Sequence, residues 1–183
     1  MANEDIPNGF SVVGRIGGGE PNIQEYEVDN GTGTAIFHGD LAKLETDGKA
    51  AVMAAASDDY IGVIVGILDA DRVPVKTLAA STAGFVLVCD DPMARLNVQF
   101  EGDGTAPTIA AIGDCADAIF THAGNSNTGR SGAELSETLA GDGNSAQFRI
   151  KQLVKTTNNE FGHNAVVEVV AKEHAYLSTP AAI

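Results

Sequence analysis

Apolar positions along the chain recur mostly at a spacing of two, in short runs closed by Gly, Asp, Asn or Pro. That is the pattern of half-buried strands rather than of amphipathic helices. Residues 10–16, 23–28, 73–78, 84–89 and 95–100 read this way. Residues 60–68, Tyr-Ile-Gly-Val-Ile-Val-Gly-Ile-Leu, are apolar almost without a break and predict a strand buried on both faces. Gly62 and Gly66 within it allow a bend or a close backbone approach. Residues 145–154 and 164–172 predict two further strands, joined by a polar connection at 155–163 rich in turn formers. Three stretches depart from the pattern. Residues 49–56 fit either a helical turn or a strand of small side chains. Residues 107–120 carry apolar positions near helical spacing around Gly113, and Ser131-Gly-Ala-Glu134 matches a capping box for a short helix. This last motif lies in an excursion, 122–143, rich in Gly, Asn, Ser and Thr, which Ala133, Leu135 and Leu139 anchor.

The prediction is a mainly β protein with a small barrel or sandwich-like core and little helix. One β-rich domain spans 10–176, with a loop-rich lobe at about 103–145, a mobile N-terminal arm at 1–9 and a C-terminal tail at 177–183. The length of 183 residues suits one domain. Composition makes the core thin. Of the 44% apolar residues many are among the 27 alanines; Gly adds 21, Trp is absent, and there are only three Tyr and seven Phe. Phe10, Phe37, Phe85, Phe100, Phe120, Phe148 and Phe161 are expected to serve as one anchor per strand or loop.

Charge narrows the function. With 25 acidic against 11 basic residues, the net charge of −14 opposes phosphate backbones and anionic lipid surfaces, so neither nucleic acid nor membrane is an expected partner. No apolar run reaches the roughly 18 residues of a spanning helix. The acidic start, Met1-Ala2-Asn3-Glu4-Asp5, lacks an apolar signal core and suggests use without secretion. Cys89 and Cys115 sit in apolar surroundings and read as buried thiols.

Catalytic signatures are missing from the sequence. His38, His122, His163 and His174 form no zinc-binding spacing. His38-Gly39-Asp40 reads as a turn opening the next strand. The run from Gly14 to Gly19 lacks the ending of a phosphate loop, Ser131 is not in a Gly-x-Ser-x-Gly elbow, and Asp90 and Asp91 would raise rather than lower the pKa of Cys89. The acidic pairs Asp58/Asp59, Asp69/Asp71, Asp90/Asp91 and Glu101/Asp103 fit turns and no calcium loop. No cofactor is expected.

Several segments, in order, carry a resemblance: Phe37-His-Gly-Asp-Leu-Ala-Lys-Leu44, Asp58-Asp-Tyr-Ile-Gly-Val-Ile-Val-Gly66, Phe85-Val-Leu-Val-Cys-Asp-Asp-Pro92, Leu96-Asn-Val-Gln-Phe-Glu101, Gly124-Asn-Ser-Asn-Thr-Gly-Arg-Ser-Gly-Ala-Glu-Leu135, and Phe148-Arg-Ile-Lys-Gln-Leu-Val154 leading into Asn158-Asn-Glu-Phe-Gly-His-Asn-Ala165. The series is similar to the head decoration, or cement, proteins of tailed bacteriophages, over most of residues 8–176. Lys151-Gln152 departs from it, since apolar or Gly residues are expected there. The resemblance implies a β-tulip-type domain that is not an enzyme. It implies a virion protein, made in the host bacterial cytoplasm, on the outer capsid surface. There it would bind the major capsid protein and its own copies, as a homotrimer or a dimer, and stabilise the expanded shell. Candidate capsid or self-association contacts are Ile6, Phe10, Phe161, His163, His174 and Tyr176.

Two other classes stand beside this reading. One is a particle-surface adhesion module binding host glycans through the loops of 122–132, against which the absence of Trp speaks. The other is a metal-dependent hydrolase using His38, Asp40, His163 and His174, for which no bound transition metal is expected.

Overall fold

In the computed structural model, residues 3–31, 33–141 and 146–177 are described, and strands account for 39% of the chain against 2% helix. In chain order the strands are β1 (Ser11–Arg15), β2 (Ile23–Val28), β3 (Ile36–Phe37), β4 (Leu41–Leu44), β5 (Ala50–Val52), β6 (Tyr60–Asp69), β7 (Thr77–Leu78), β8 (Gly84–Cys89), β9 (Ala94–Gln99), β10 (Cys115–Ala116), β11 (Ala118–Ile119), β12 (Glu134–Leu135), β13 (Phe148–Leu153) and β14 (Val166–Ala171). One sheet runs β1-β9-β14-β13-β10 and the other β2-β8-β6-β4-β5, with short ladders β11-β12 and β3-β7 beside them. All of these pairings are antiparallel and, among the described residues, no sheet closes on itself, so the architecture is sandwich-like rather than a closed barrel.

Alternation explains the layers. Leu96 and Val98 of β9, Phe148 and Ile150 of β13, and Val167 and Val169 of β14 point into one core. There they meet Leu41, Tyr60, Val63 and Cys89 from the facing sheet. The second sheet is apolar on its other side as well, where Ala42, Ile61, Ile64, Ile67, Val86 and Val88 pack with Ile36 and Leu78 of the β3-β7 ladder. β6 therefore serves two cores, as its unbroken apolar run predicts. A register shift opposite Ala42 and Lys43 lets Tyr60 and Val63 face one core while Ile61 and Ile64 face the other. Gly62 sits at this irregularity with φ of +156°, and a Cβ there would lie 2.2 Å from the Cys89 carbonyl oxygen.

Most of the predicted strands are present, and the departures have local causes. Residues 49–56 contain β5, paired with β4, and no helical turn. Residues 73–78 shrink to β7: Val73 and Val75 bond through their backbones to Asp69 and Ile67, but Pro74 has no N–H to continue a ladder. Residues 107–120 hold a single 3-10 turn, Ile109–Ala111, capped by the Thr108 hydroxyl, and then switch to β10 and β11. Ser131-Gly-Ala-Glu134 does not start a helix. The Ser131 hydroxyl accepts from Ala133 N and the chain continues into β12. Ser145, the first residue of another predicted strand, lies outside the described residues.

Within 103–141, Ala111, Ala116, Ala118, Ala133 and Leu135 belong to the main sandwich core. The N-terminal segment is tied down from residue 3. Asn3 Nδ2 donates to the carbonyls of Glu160 and His163, Asn3 Oδ1 accepts from Glu160 N, and Gln99 bridges Ile6 N and the Glu4 carbonyl.

Candidate functional site

Residues 131–137, Ser-Gly-Ala-Glu-Leu-Ser-Glu, are all buried although four of the seven are polar. A polar segment can run through an interior only if its groups find partners. Ser131 N donates to the His38 carbonyl, Ser136 N to the Asp117 carbonyl, and the Ser136 hydroxyl to Glu101. Glu137 accepts from Gly104 N at 3.0 Å and pairs with the His163 ring at 2.9 Å, while Glu134 pairs with the His122 ring. Each of these imidazoles is exposed and hydrogen-bonded to a carboxylate at its back. Among the described residues the second Glu134 oxygen, which is buried, has no partner, and burial pushes the Glu134 carboxyl above its usual range.

One end of this segment lines a cleft of about 540 Å³. Phe37, Met53 and Phe120 contribute apolar surface, and Asp40, Ser131 and His122 contribute polar groups. Gly124 comes so close to the Phe37 ring that a Cβ would lie 2.2 Å from it. Asp40 accepts from Phe37 N at 2.7 Å, and the nearby Ser131 hydroxyl also favours its ionised form. Burial nevertheless raises its pKa to about 6, and these two groups only partly offset the effect.

A second candidate is a surface corner. Among the described residues β1 and β2 are the outer strands of the two sheets, each paired on one side. The connections 16–22 and 90–93 link the sheets here, and Ile16 N donates to the Met93 carbonyl. Val13, Ile16, Ile23 and Met93 are exposed around this corner. Asp91 ties its turns together through Arg15 at 2.6 Å and Met93 N at 2.8 Å, while Asp90 accepts from Asn22 and from the Tyr26 hydroxyl. Tyr26 in turn meets the hydroxyl of Tyr176, whose neighbour Leu177 is also exposed.

The six contacts expected from the resemblance separate under this geometry. Ile6 is exposed, Phe161 is half-buried and His163 is exposed with its ring on Glu137, all in the region where residues 3–6 meet the 158–164 loop. Tyr176 is exposed at the other site, beside Tyr26. Phe10 and His174 are different, because their side chains are taken up inside the chain. Phe10 stacks on Phe148 with ring centroids 4.9 Å apart, and His174 stands edge-on to Tyr60. His174 Nδ1 accepts from Tyr176 N, and burial lowers its pKa. The apolar corner residues Val13, Ile16, Ile23 and Met93 escaped sequence reading because alternation marks them as strand or turn positions and not as exposed ones.

The histidines and acids considered for metal chemistry do not converge: among the described residues no group of three or more His, Cys, Asp or Glu is placed to hold a metal ion. Cys89 is a free, buried thiol whose pKa is raised by burial and then by Asp91 and Asp90. Cys115 is likewise free and buried. Comparison with known proteins returns no match among family models, curated proteins or solved structures.

Proposed function

We propose that the chain is a non-enzymatic capsid decoration protein. It binds the outer surface of an icosahedral phage shell, bridges neighbouring major capsid protein subunits, and associates with its own copies as a trimer. The apolar corner beside two free strand edges carries this reading. Edge strands present unpaired backbone donors and acceptors, and an added strand or a neighbouring subunit satisfies them. The exposed side chains of Ile16, Ile23 and Met93 supply apolar area next to those edges. Each such contact is small, but many copies on one lattice act together, and a protein that binds only the expanded lattice stabilises it by mass action. The net charge of −14 suits an outer particle surface, since like-charged particles repel.

The test is co-sedimentation of purified protein with undecorated expanded heads and with unexpanded precursors. The expected result is pelleting with expanded heads, weakened at least about tenfold by the combined substitutions Ile16→Ser, Ile23→Ser and Met93→Ser. Failure to pellet with either form would refute the reading, and glycan-array binding in its place would favour the adhesion alternative.

A further inference from the structure

The cleft between Phe37 and Phe120 has no part in the decoration reading, and its chemistry is distinctive. We propose that it binds an aliphatic primary ammonium group, held against the Asp40 carboxylate with its alkyl stem between Phe37, Met53 and Phe120.

Asp40 is a buried acid, 7% exposed, in the lining of the cleft. Among the described residues no Lys or Arg lies within ion-pair distance of it. The groups that favour its charged form are neutral, the Phe37 amide at 2.7 Å and the Ser131 hydroxyl. Buried charges in proteins are ordinarily paired, and a carboxylate without a cation is held only at a cost. A ligand ammonium removes that cost. The raised pKa of about 6 reports the same deficit, because a bound cation would favour the ionised form.

The walls select among cations. Phe37 and Phe120 offer aromatic surface, which suits an alkylammonium both as apolar area and as a cation–π partner. A guanidinium is a poorer match. It binds carboxylates through two parallel bonds, and one Asp40 oxygen already accepts from the Phe37 amide. The volume of about 540 Å³ accommodates a four- or five-carbon stem. Two other titratable side chains adjoin the site. His122 lines the cleft but is engaged with Glu134, and His38, two residues from Asp40, approaches the Val65 carbonyl at 3.2 Å.

The same chemistry is offered by a free amine and by a lysine side chain of a polypeptide, and the test separates them. Amide chemical shifts of Phe37, Ser131 and Gly132 are followed at pH 7 and constant ionic strength. The titrants are n-butylammonium chloride, Nα-acetyl-lysine N-methylamide and the uncharged 1-pentanol. Both amines are expected to bind about tenfold or more tightly than pentanol. Asp40→Asn should weaken the amines about tenfold and leave pentanol unchanged. Calorimetry at pH 6 provides a readout on the unaltered protein: amine binding releases protons, and the release disappears at pH 8 and in Asp40→Asn. Equal affinity of the two amines assigns the site to free amines, and a clear preference for the lysine derivative assigns it to a polypeptide side chain. The proposal is overturned if pentanol binds as well as the amines, if Asp40→Asn binds them unchanged, or if no shift appears by about 50 mM. Every measurement uses the free protein, so none depends on capsid binding.

Discussion

Asp40 shows how one side chain can couple acidity to stability. Its carboxyl has a pKa of about 6 in the folded chain against 3.8 for an ordinary Asp, the largest cause being burial. The folded state therefore binds this proton more tightly than the unfolded state does. The stability linked to it is fully present below the unfolded value and is lost as pH rises through the folded one, a change on the order of 3 kcal/mol. Asp58, Asp91 and Glu168 act in the opposite sense. Despite burial, backbone amides with Lys43 or Arg15 lower the pKa of Asp58 and Asp91, and the side chains of Lys151 and Gln152 lower that of Glu168, so their stabilisation is lost as pH falls. Comparing variant with parent isolates Asp40 from these groups. Urea unfolding of Asp40→Asn between pH 4 and 8 should match the parent at the acid end and exceed it at neutral pH, since the amide oxygen still accepts from Phe37 N. A constant difference across the range would show that burial of this carboxyl carries no cost.

At the scale of elements, irregularities rather than regular pairing decide which side chains meet. The register shift at Gly62 divides β6 between two cores, and its conformation leaves no room for a Cβ against Cys89 and Val88. Gly62→Ala is expected to cost about 3 kcal/mol or more, combining backbone strain with overpacking. Gly48→Ala is the control. Its φ of +83° is also strained, but nothing lies within 4 Å of the added Cβ, so the cost should stay near 1 kcal/mol. Thermal unfolding followed by circular dichroism would separate the two. A second shift, between Ile150 and Gln152 on β13, accounts for Lys151-Gln152, where the resemblance leads one to expect apolar or Gly residues. Both side chains bond to Glu168 on β14, Lys151 at 2.7 Å, and Arg95 reaches the same carboxylate from β9.

At the scale of the whole molecule, the N-terminal segment closes the sandwich on itself. Residues 3–6 bond to the 160–163 loop and to Gln99, while Phe10 fills the core. Deleting residues 1–9 should destabilise the free protein by about 1–2 kcal/mol, because several partly exposed hydrogen bonds are lost. Unfolding of the truncated protein beside its binding to expanded heads would divide two roles. Lost stability with unchanged occupancy places the segment's contribution within its own domain. Unchanged stability with lost occupancy would assign it to a neighbour.

The sequence by itself determined the strand-rich class, the two-faced burial of β6 and the thin, Ala-rich core. Each follows from spacing and side-chain size, which are local and additive along the chain. It also indicated the His38-Gly39-Asp40 turn before β4. The capping-box match at residues 131–134, which fits at most a short helix, starts none, because such a box is defined over four residues and takes no account of what lies around them. Only the tertiary structure decided that residues 131–137 are buried, that Asp40 and Ser131, 91 positions apart, line one cleft, and that Glu134 and Glu137 face His122 and His163. It also decided that Phe10 and His174 are internal while Ile16, Ile23 and Met93 are exposed. The physical reason is common to all of these. Burial of a polar or charged group depends on partners far along the chain, and a periodicity of two records which face a residue occupies but not what that face is pressed against.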